Sequence, residues 1–467
     1  MCRPTPAVLH LLPSLHVGGV ERGVIDLCTG SPDLSLVASS GGALEPSLPA
    51  QCTLLQARTL AWRGPASVLL INPVLLALWS RRHRVEILHA HSRALAVSAR
   101  MARLLCWALG LRPLPRVVVT WHGYYDTSSL FKRAVCRAVL GAADALVFPS
   151  EAMAQHVVGR FGHLVRSDFS LIHRGVAPPV EAPAAAGTTC TPEHPTIRLL
   201  LPGRLSRSKG HDLLVHAVTL LQARCRDRRE AVAVSVVMMG ALPSQMLRSG
   251  PGQPPPPHAD DLGVTAPLRA GMSRILCTWR ERRLLGGASS FECELRSAIE
   301  AAASRGDAGT ACGLYCEVHF EVRPHGELSA AFDACDVVVV PSRRPEAFGR
   351  VIVEALAARR LVVTYAHGAA CEIGATVLRV AGRAGILPRL IPPGLLLVGP
   401  MLLVAPCDVL SLAAAIDAAW HLPAHEKTAR TAVGARAAEE CFGLAMFVQR
   451  THDVYHAVVG PPTPSDA

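Results

Sequence analysis

The chain has 467 residues, of which 50% are hydrophobic and 18% charged, with a formal net charge of +11. That length holds two or three domains with sizeable cores, and the composition excludes an intrinsically disordered chain. The surplus of base is almost all arginine, since lysine occurs only at Lys132, Lys209 and Lys427. It suits an anionic partner (a nucleotide, a nucleic acid or an acidic membrane surface), or else reflects an arginine-rich composition without function. With no Lys/Arg-dense block and no interleaved aromatics, a nucleic-acid surface is not expected.

In chain order, short Val/Leu-rich runs alternate with helical patterns, the signature of parallel sheets covered by helices. "AVLHLLPS" reads as a first strand, and "GGVERGVIDLC" as a Gly-rich turn opening a helix. The apolar run "PASVLLINPVLLALWS" (65–80) is interrupted by Asn72 and Pro73 and is shorter than the roughly 20 residues that cross a bilayer. "VEILHAHS" ends a strand at His89 and His91, and "ALAVSARMARLLCWAL" is a helix. "RVVVTWHG" is a strand ending at His122-Gly123, and "DALVFPSEAMAQHVV" is strand, turn and helix. "FSLIHRGV" closes this half.

A Pro/Ala/Thr-rich stretch at 179–196 reads as a linker, so a first domain is expected over 1–178. A second alternation follows over 197–430. "TIRLLLPGRLSRSKGHDLLVHAV" is strand, loop and helix, and "VAVSVVMMG" is a strand. An insertion near 241–317, containing "PGQPPPPHADD", interrupts this half. "VHFEVRPHGELSAAFDACDVVVVPS" then supplies strand, helix and strand. The uncharged run "LIPPGLLLVGPMLLVAP" (390–406) is broken by prolines and is too short to span a membrane. Helical patterns cover 408–420, 424–441 and 443–457, and residues 431–467 are expected to pack back toward the first domain. The fifteen cysteines form no CxxC pair and no zinc-like pattern. They read as free thiols of a reducing compartment, and the N-terminus lacks a signal-peptide pattern, so a cytoplasmic location is expected.

In open α/β sheets ligands bind beyond the carboxyl ends of strands. Gly18-Gly19, His122-Gly123, Gly203-Arg204, Lys209-Gly210 and Glu346 all follow apolar runs. A helix opening near Phe348-Gly349 offers free N–H groups to an anion, and glycine lets the backbone come close. Arg204 and Lys209 place fixed positive charge five residues apart, so a diphosphate suits this end of the sheet. Glu354, inside "VIVEALA", poses a separate question: a buried carboxylate there is costly without a partner.

"PSRRPEAFGRVIVEALA" resembles the E-x7-E motif of retaining glycosyltransferases, especially glycosyltransferase family 4 with its GT-B fold. "GGVER", "VVTWHG" and "PGRLSRSKG" are similar to that family's other signatures and stand in the same order, so the resemblance covers most of the chain. It implies an α/β protein of two doubly wound Rossmann-like domains facing a cleft, the first on the acceptor side and the second binding a nucleotide-sugar. It implies that Glu354 holds ribose hydroxyls and Glu346 the hydroxyls of the transferred sugar. Arg204 and Lys209 would stabilise the leaving diphosphate, with Gly203, Phe348 and Gly349 beside it. Gly18 and Gly19 would admit phosphates and acceptor, His122 would contact the donor sugar, and Glu372 would lie on the donor side. His89 and His91 read as structural. No Asp-x-Asp occurs, so no metal and no other cofactor is expected.

The expected reaction is retaining transfer from a UDP- or GDP-sugar to a glycan or lipid-linked acceptor, in bacterial polysaccharide or lipopolysaccharide assembly. Alternatives are a GT-B-like sugar-nucleotide epimerase and a non-catalytic nucleotide-sugar binder. Two segments, 74–84 and 130–140, carry basic residues among apolar ones, so peripheral contact with an anionic membrane is also expected. The sequence departs from the family at His173-Arg174, where Pro-Asn is favoured, and at His367-Gly368, where two glycines are.

Overall fold

The computed structural model describes residues 7–16, 18–165, 168–177, 195–230, 232–240, 278–279, 291, 294–295, 297–299, 314–319, 325–391 and 394–460. Most of the expected linker at 179–196 and of the insertion near 241–317 lies outside these residues.

The first sheet has seven parallel strands in the order β3-β2-β1-β4-β5-β6-β7. They are β1 (Val8–Leu11), β2 (Ser35–Ser39), β3 (Thr53–Gln56), β4 (Ile87–Ala90), β5 (Arg116–Thr120), β6 (Ala145–Phe148) and β7 (Ser170–Leu171). β1 pairs with β2 on one side and β4 on the other, Leu9 lying opposite Leu36 and Leu88. Strands buried on both faces need continuous apolar runs, which "VLHL" and "RVVVT" supply. The helices between them are α1 (Gly19–Gly30), α2 (Asn72–Arg82), α3 (Arg93–Ala108), α4 (Leu130–Ala142) and α5 (Glu151–Phe161). Serine side chains at 92, 129 and 150 start α3, α4 and α5 by accepting a first-turn N–H.

The second sheet has nine strands in the order β10-β11-β9-β8-β12-β13-β16-β15-β14. Its strands are β8 (Thr196–Pro202), β9 (Ala233–Met239), β10 (Thr278–Trp279), β11 (Leu314–His319), β12 (Val337–Val340), β13 (Leu361–Tyr365), β14 (Arg389–Ile391), β15 (Leu395–Val398) and β16 (Met401–Val404). All pairings are parallel except β14–β15 and β15–β16, so the sheet ends in antiparallel strands at the Pro-broken run 390–406, joined to the parallel part through β16 on β13. Helices α6 (His211–Asp227), α7 (His325–Ala334), α8 (Arg350–Ala357), α9 (Ala369–Arg383), α10 (Val409–His421) and α11 (Ala424–Phe442) cover it.

The chain then crosses back. Val176 forms an isolated parallel bridge with Gly443, and α12 (Leu444–Val459) follows. Its Phe447, Val454 and Tyr455 bury themselves with Leu27, Ile87, Val118 and Ile172 of the first domain. This is an α/β, two-sheet GT-B architecture. In each sheet the strand order reverses beside the first strand, between β1 and β4 and between β8 and β12, and these switch points face the cleft.

Candidate active site

On the second domain, the loop after β8 carries Gly203 and Arg204, and a tight turn at Arg207–Lys209 leads into α6. The loop after β12 carries Ser342 and Glu346 and ends at Gly349, which starts α8 with φ of +82°. Glycine takes that left-handed conformation at no steric cost, leaving the first N–H groups of α8 open. These two loops flank the switch point. Across it Lys209 Nζ donates to Glu346 Oε1 at 2.5 Å. Ser342 Oγ donates to the same oxygen. Burial pushes the Glu346 carboxyl up, but Lys209, Ser342 and His367 outweigh it and hold the group below the usual carboxylate range. Glu346 is therefore a fixed, ionised acceptor beside a cation. Arg204 is exposed and faces Glu21 of α1 in the other domain.

Glu354 lies on α8 with its side chain 10% exposed, and its partner is a protein group. Arg350 Nε donates to Glu354 Oε1 at 2.7 Å, one helical turn away. The same guanidinium donates through Nη1 to Asp26 Oδ2 at 2.5 Å, on α1 of the first domain. Phe348 is buried between His173 and Phe442, ring centroids 5.8 and 5.7 Å away. Glu372 is engaged by the first domain: its Oε1 meets His173 Nε2 at 2.6 Å, and its Oε2 accepts from the Glu151 backbone N–H at the start of α5.

On the first domain, Gly18 and Gly19 form the turn into α1. Behind them the ends of β1, β4 and β5 bring four histidines together. His10 Nδ1 lies 3.2 Å from His91 Nε2, and His91 Nδ1 lies 3.1 Å from His122 Nε2. His89 bonds Tyr455 Oη and Thr120 Oγ1, both at 2.7 Å. Burial lowers the basicity of all four, in His10 to about 3, and the Arg174 guanidinium adds to this in His89, His91 and His122. His122 is thus a neutral imidazole.

Nitrogens of His10, His89 and His91 lie within 4.8 Å of one another, a spacing that suits a metal ion. However, both nitrogens of His89 and of His91 are already hydrogen-bonded, and a nearby guanidinium opposes a cation.

Arg174 itself is buried. It donates to His122 Nδ1 at 2.9 Å, and its Nη1 sits 1.7 Å from where a Cβ on Gly23 would be. Only glycine on that face of α1 admits the guanidinium. Burial, and then repulsion by Arg350, push its pKa down to about 10.

The structure therefore gathers Arg204, Lys209, Glu346, Phe348, Gly349 and Glu354 around one switch point, and His122 at the other. Sequence reasoning missed Asp26, Arg174 and Arg350. Asp26 and Arg350 were findable by the logic applied to Glu354, since each is a charge on an apolar helix face. Arg174 was visible only as a departure from the family pattern.

Residues 17–178 match the family profile "Glycosyltransferase Family 4", and residues 311–376 match "Glycosyl transferases group 1". No curated protein matches the chain significantly. Among solved structures, a glycosyltransferase from Rickettsia africae is similar with a TM-score of 0.65 at 20% identity, covering 97% of this chain and 98% of that one. Anabaena HepE, crystallised with UDP and glucose, has a TM-score of 0.65 at 16% identity, covering 96% and 99%. Sucrose-phosphate synthase from Thermosynechococcus elongatus has a TM-score of 0.59 at 18% identity, covering 97% and 98%. At these identities the structures speak to the fold, while the two profiles, matched in chain order, speak to the family: the chain belongs to the family 4 glycosyltransferases.

Proposed function

We propose that this glycosyltransferase is a retaining, metal-independent hexosyltransferase that moves a sugar from a UDP- or GDP-sugar to a glycan or lipid-linked acceptor. The setting we favour is bacterial surface-polysaccharide or lipopolysaccharide assembly, on the cytoplasmic side of the membrane. The observation that carries this reading is the Lys209–Glu346 pair beside the open start of α8, at the carboxyl ends of β8 and β12.

Breaking a glycosyl–phosphate bond builds negative charge on the departing diphosphate. Lys209, Arg204 and the N–H groups at Phe348 and Gly349 are donors aimed at that charge. Glu346, held ionised, accepts from hydroxyls of the transferred sugar, and Glu354 from those of the ribose. His122, a neutral imidazole, contacts the donor sugar from the opposite domain. Gly18, Gly19 and Gly203 keep the backbone out of the phosphates' way. Glu372, engaged by His173 and the start of α5, acts on the donor through the domain contact it makes.

Acceptor access comes from the first domain. Leu70, Leu78, Leu130 and Phe131 are between 60% and 82% exposed, on α2 with its preceding turn and on α4. Arg81, Arg82, Arg84, Lys132, Arg133 and Arg137 lie among them, and all six are exposed. Such a surface suits peripheral contact with anionic lipid. Among the described residues no helix is long and apolar enough to cross a membrane.

The test is a nucleotide-sugar screen by thermal stabilisation, followed by analysis of products. A ligand at about 100 times its Kd stabilises by about 2.7 kcal/mol. One UDP- or GDP-sugar should stand out and release its nucleoside diphosphate when acceptor is supplied. Failure of every nucleotide-sugar to stabilise the protein would overturn the reading. Conversion of the donor to another nucleotide-sugar without acceptor would replace it with an epimerase.

A further inference from the structure

A buried charge network joins the two domains directly behind the expected nucleotide site. Asp26 lies in α1, about two turns beyond the Gly18-Gly19 turn, with 7% of its side chain exposed. Arg350 is the first residue of α8 and is 10% exposed. Its Nη1 reaches Asp26 Oδ2 at 2.5 Å and its Nε reaches Glu354 Oε1 at 2.7 Å. Arg22 flanks Asp26, its Nε 3.6 Å from Oδ1, and Arg174 attracts the same carboxylate from the end of the first domain.

Buried ion pairs are poor sources of net stability, because desolvation cancels much of the attraction, and a well-packed apolar pair often does as well. What a buried pair does impose is geometry. Here one planar guanidinium fixes two carboxylates on two domains at once, which a lysine, a point charge on a flexible stem, cannot do.

We infer that Arg350 is a positioning residue that couples nucleotide binding to domain closure, by orienting Glu354 on one side while gripping Asp26 on the other. This rests on the reading of Glu354 as the ribose-binding carboxylate. With the domains together, Arg350 is held from Asp26 and in turn holds Glu354 Oε1, leaving Oε2 directed to hydroxyls. With the domains apart, Asp26 is withdrawn and Arg350 is free to swing with Glu354. A nucleotide that needs the oriented carboxylate then favours the closed arrangement by its difference in affinity for the two states. By reciprocity, any change that loosens Asp26 must weaken the nucleotide.

Asp26→Asn tests this, because it keeps the side chain's shape, leaves the Arg350–Glu354 contact in place and removes only the cross-domain charge. Affinity for UDP and for GDP is measured by calorimetry on the full chain, with small-angle scattering recorded with and without nucleotide. Asp26→Asn should weaken the preferred nucleotide about tenfold, within the usual range of coupling between sites. The compaction on adding nucleotide should shrink. Arg350→Lys should do at least as much, and the double variant should fall short of the product of the two, as expected for residues acting through one contact. Glu354→Gln separates this inference from the reading beneath it. If Glu354→Gln abolishes binding while Asp26→Asn binds within twofold of wild type and compacts normally, the coupling is refuted and the ribose role stands. If Glu354→Gln binds nucleotide normally, the ribose role itself fails. Should Asp26→Asn fold poorly, Arg350→Lys alone decides: lowered thermal stability with unchanged nucleotide affinity would make the network purely structural.

Discussion

Acidification should destabilise this protein well before its ordinary carboxylates titrate, and the buried histidines set the size of the effect. His10 is 1% exposed, and burial, with repulsion from His452, pushes its pKa down to about 3. His211 is fully buried, and burial pushes its pKa down to about 4. In the unfolded chain both titrate near 6.5. A group whose folded pKa is depressed stabilises fully above its unfolded pKa, and that contribution is lost as pH falls toward the folded pKa. Between about pH 7.5 and about pH 5 the unfolded chain takes up nearly one proton at each site and the folded chain almost none. Integrated over that interval, each histidine forfeits about 2 kcal/mol, or about 4 kcal/mol for the two. His89, His91 and His122 are shifted in the same direction and add to the loss. Glu21 opposes it, because burial raises its carboxyl and so favours the folded state as pH drops. Against a total stability of about 5–15 kcal/mol, the net loss is large. Urea denaturation at a series of pH values reads it directly, and the slope should flatten in His10→Gln by about 2 kcal/mol over the interval. Stability unchanged, or rising, between about pH 7.5 and about pH 5 would refute the argument that these imidazoles stay neutral in the fold.

Three further outcomes are expected. Lys209→Ala and Arg204→Ala should each lower kcat by roughly 100-fold or more, the scale of losing one preorganised donor, and near-wild-type turnover in both would remove them from the leaving-group site. Lys209→Ala should also cost stability, since it leaves the half-buried Glu346 without its cation, whereas loss of exposed Arg204 should not. Activity should survive excess EDTA; complete loss that magnesium or manganese restores would show that a cation carries the charge instead. In vesicle co-sedimentation the protein should bind anionic but not neutral lipid, with binding weakened by salt and by Arg81/Arg82/Arg84→Ser, and equal behaviour with both lipids at low salt would leave a soluble acceptor as the better account.

The local elements and the order of the sites were legible in the amino-acid sequence. Short, Val/Leu-rich runs such as "VLHL" and "TIRLLLP", alternating with helical patterns, read as strands of a helix-covered parallel sheet, which puts the polar residues just after them at carboxyl ends. From that alone Arg204, Lys209, Glu346 and the Gly349 turn fell at one end of one sheet. The α8 pattern likewise marked Glu354 as a carboxylate in need of a partner, because burial cost is a local property. The partner's identity is not local. Asp26 lies 324 positions from Arg350 along the chain, and no periodicity relates them. Only the packing of two domains, with α12 crossing back onto the first, brings α1 against α8. The same holds for the histidines. His89 and His91 read singly as structural, but the run from His10 through His91 and His122 to Arg174 exists because three parallel strands end side by side. Hydrogen bonds and ion pairs act over a few ångströms in space, whatever the separation in sequence, so the tertiary fold alone decided which of these charges meet.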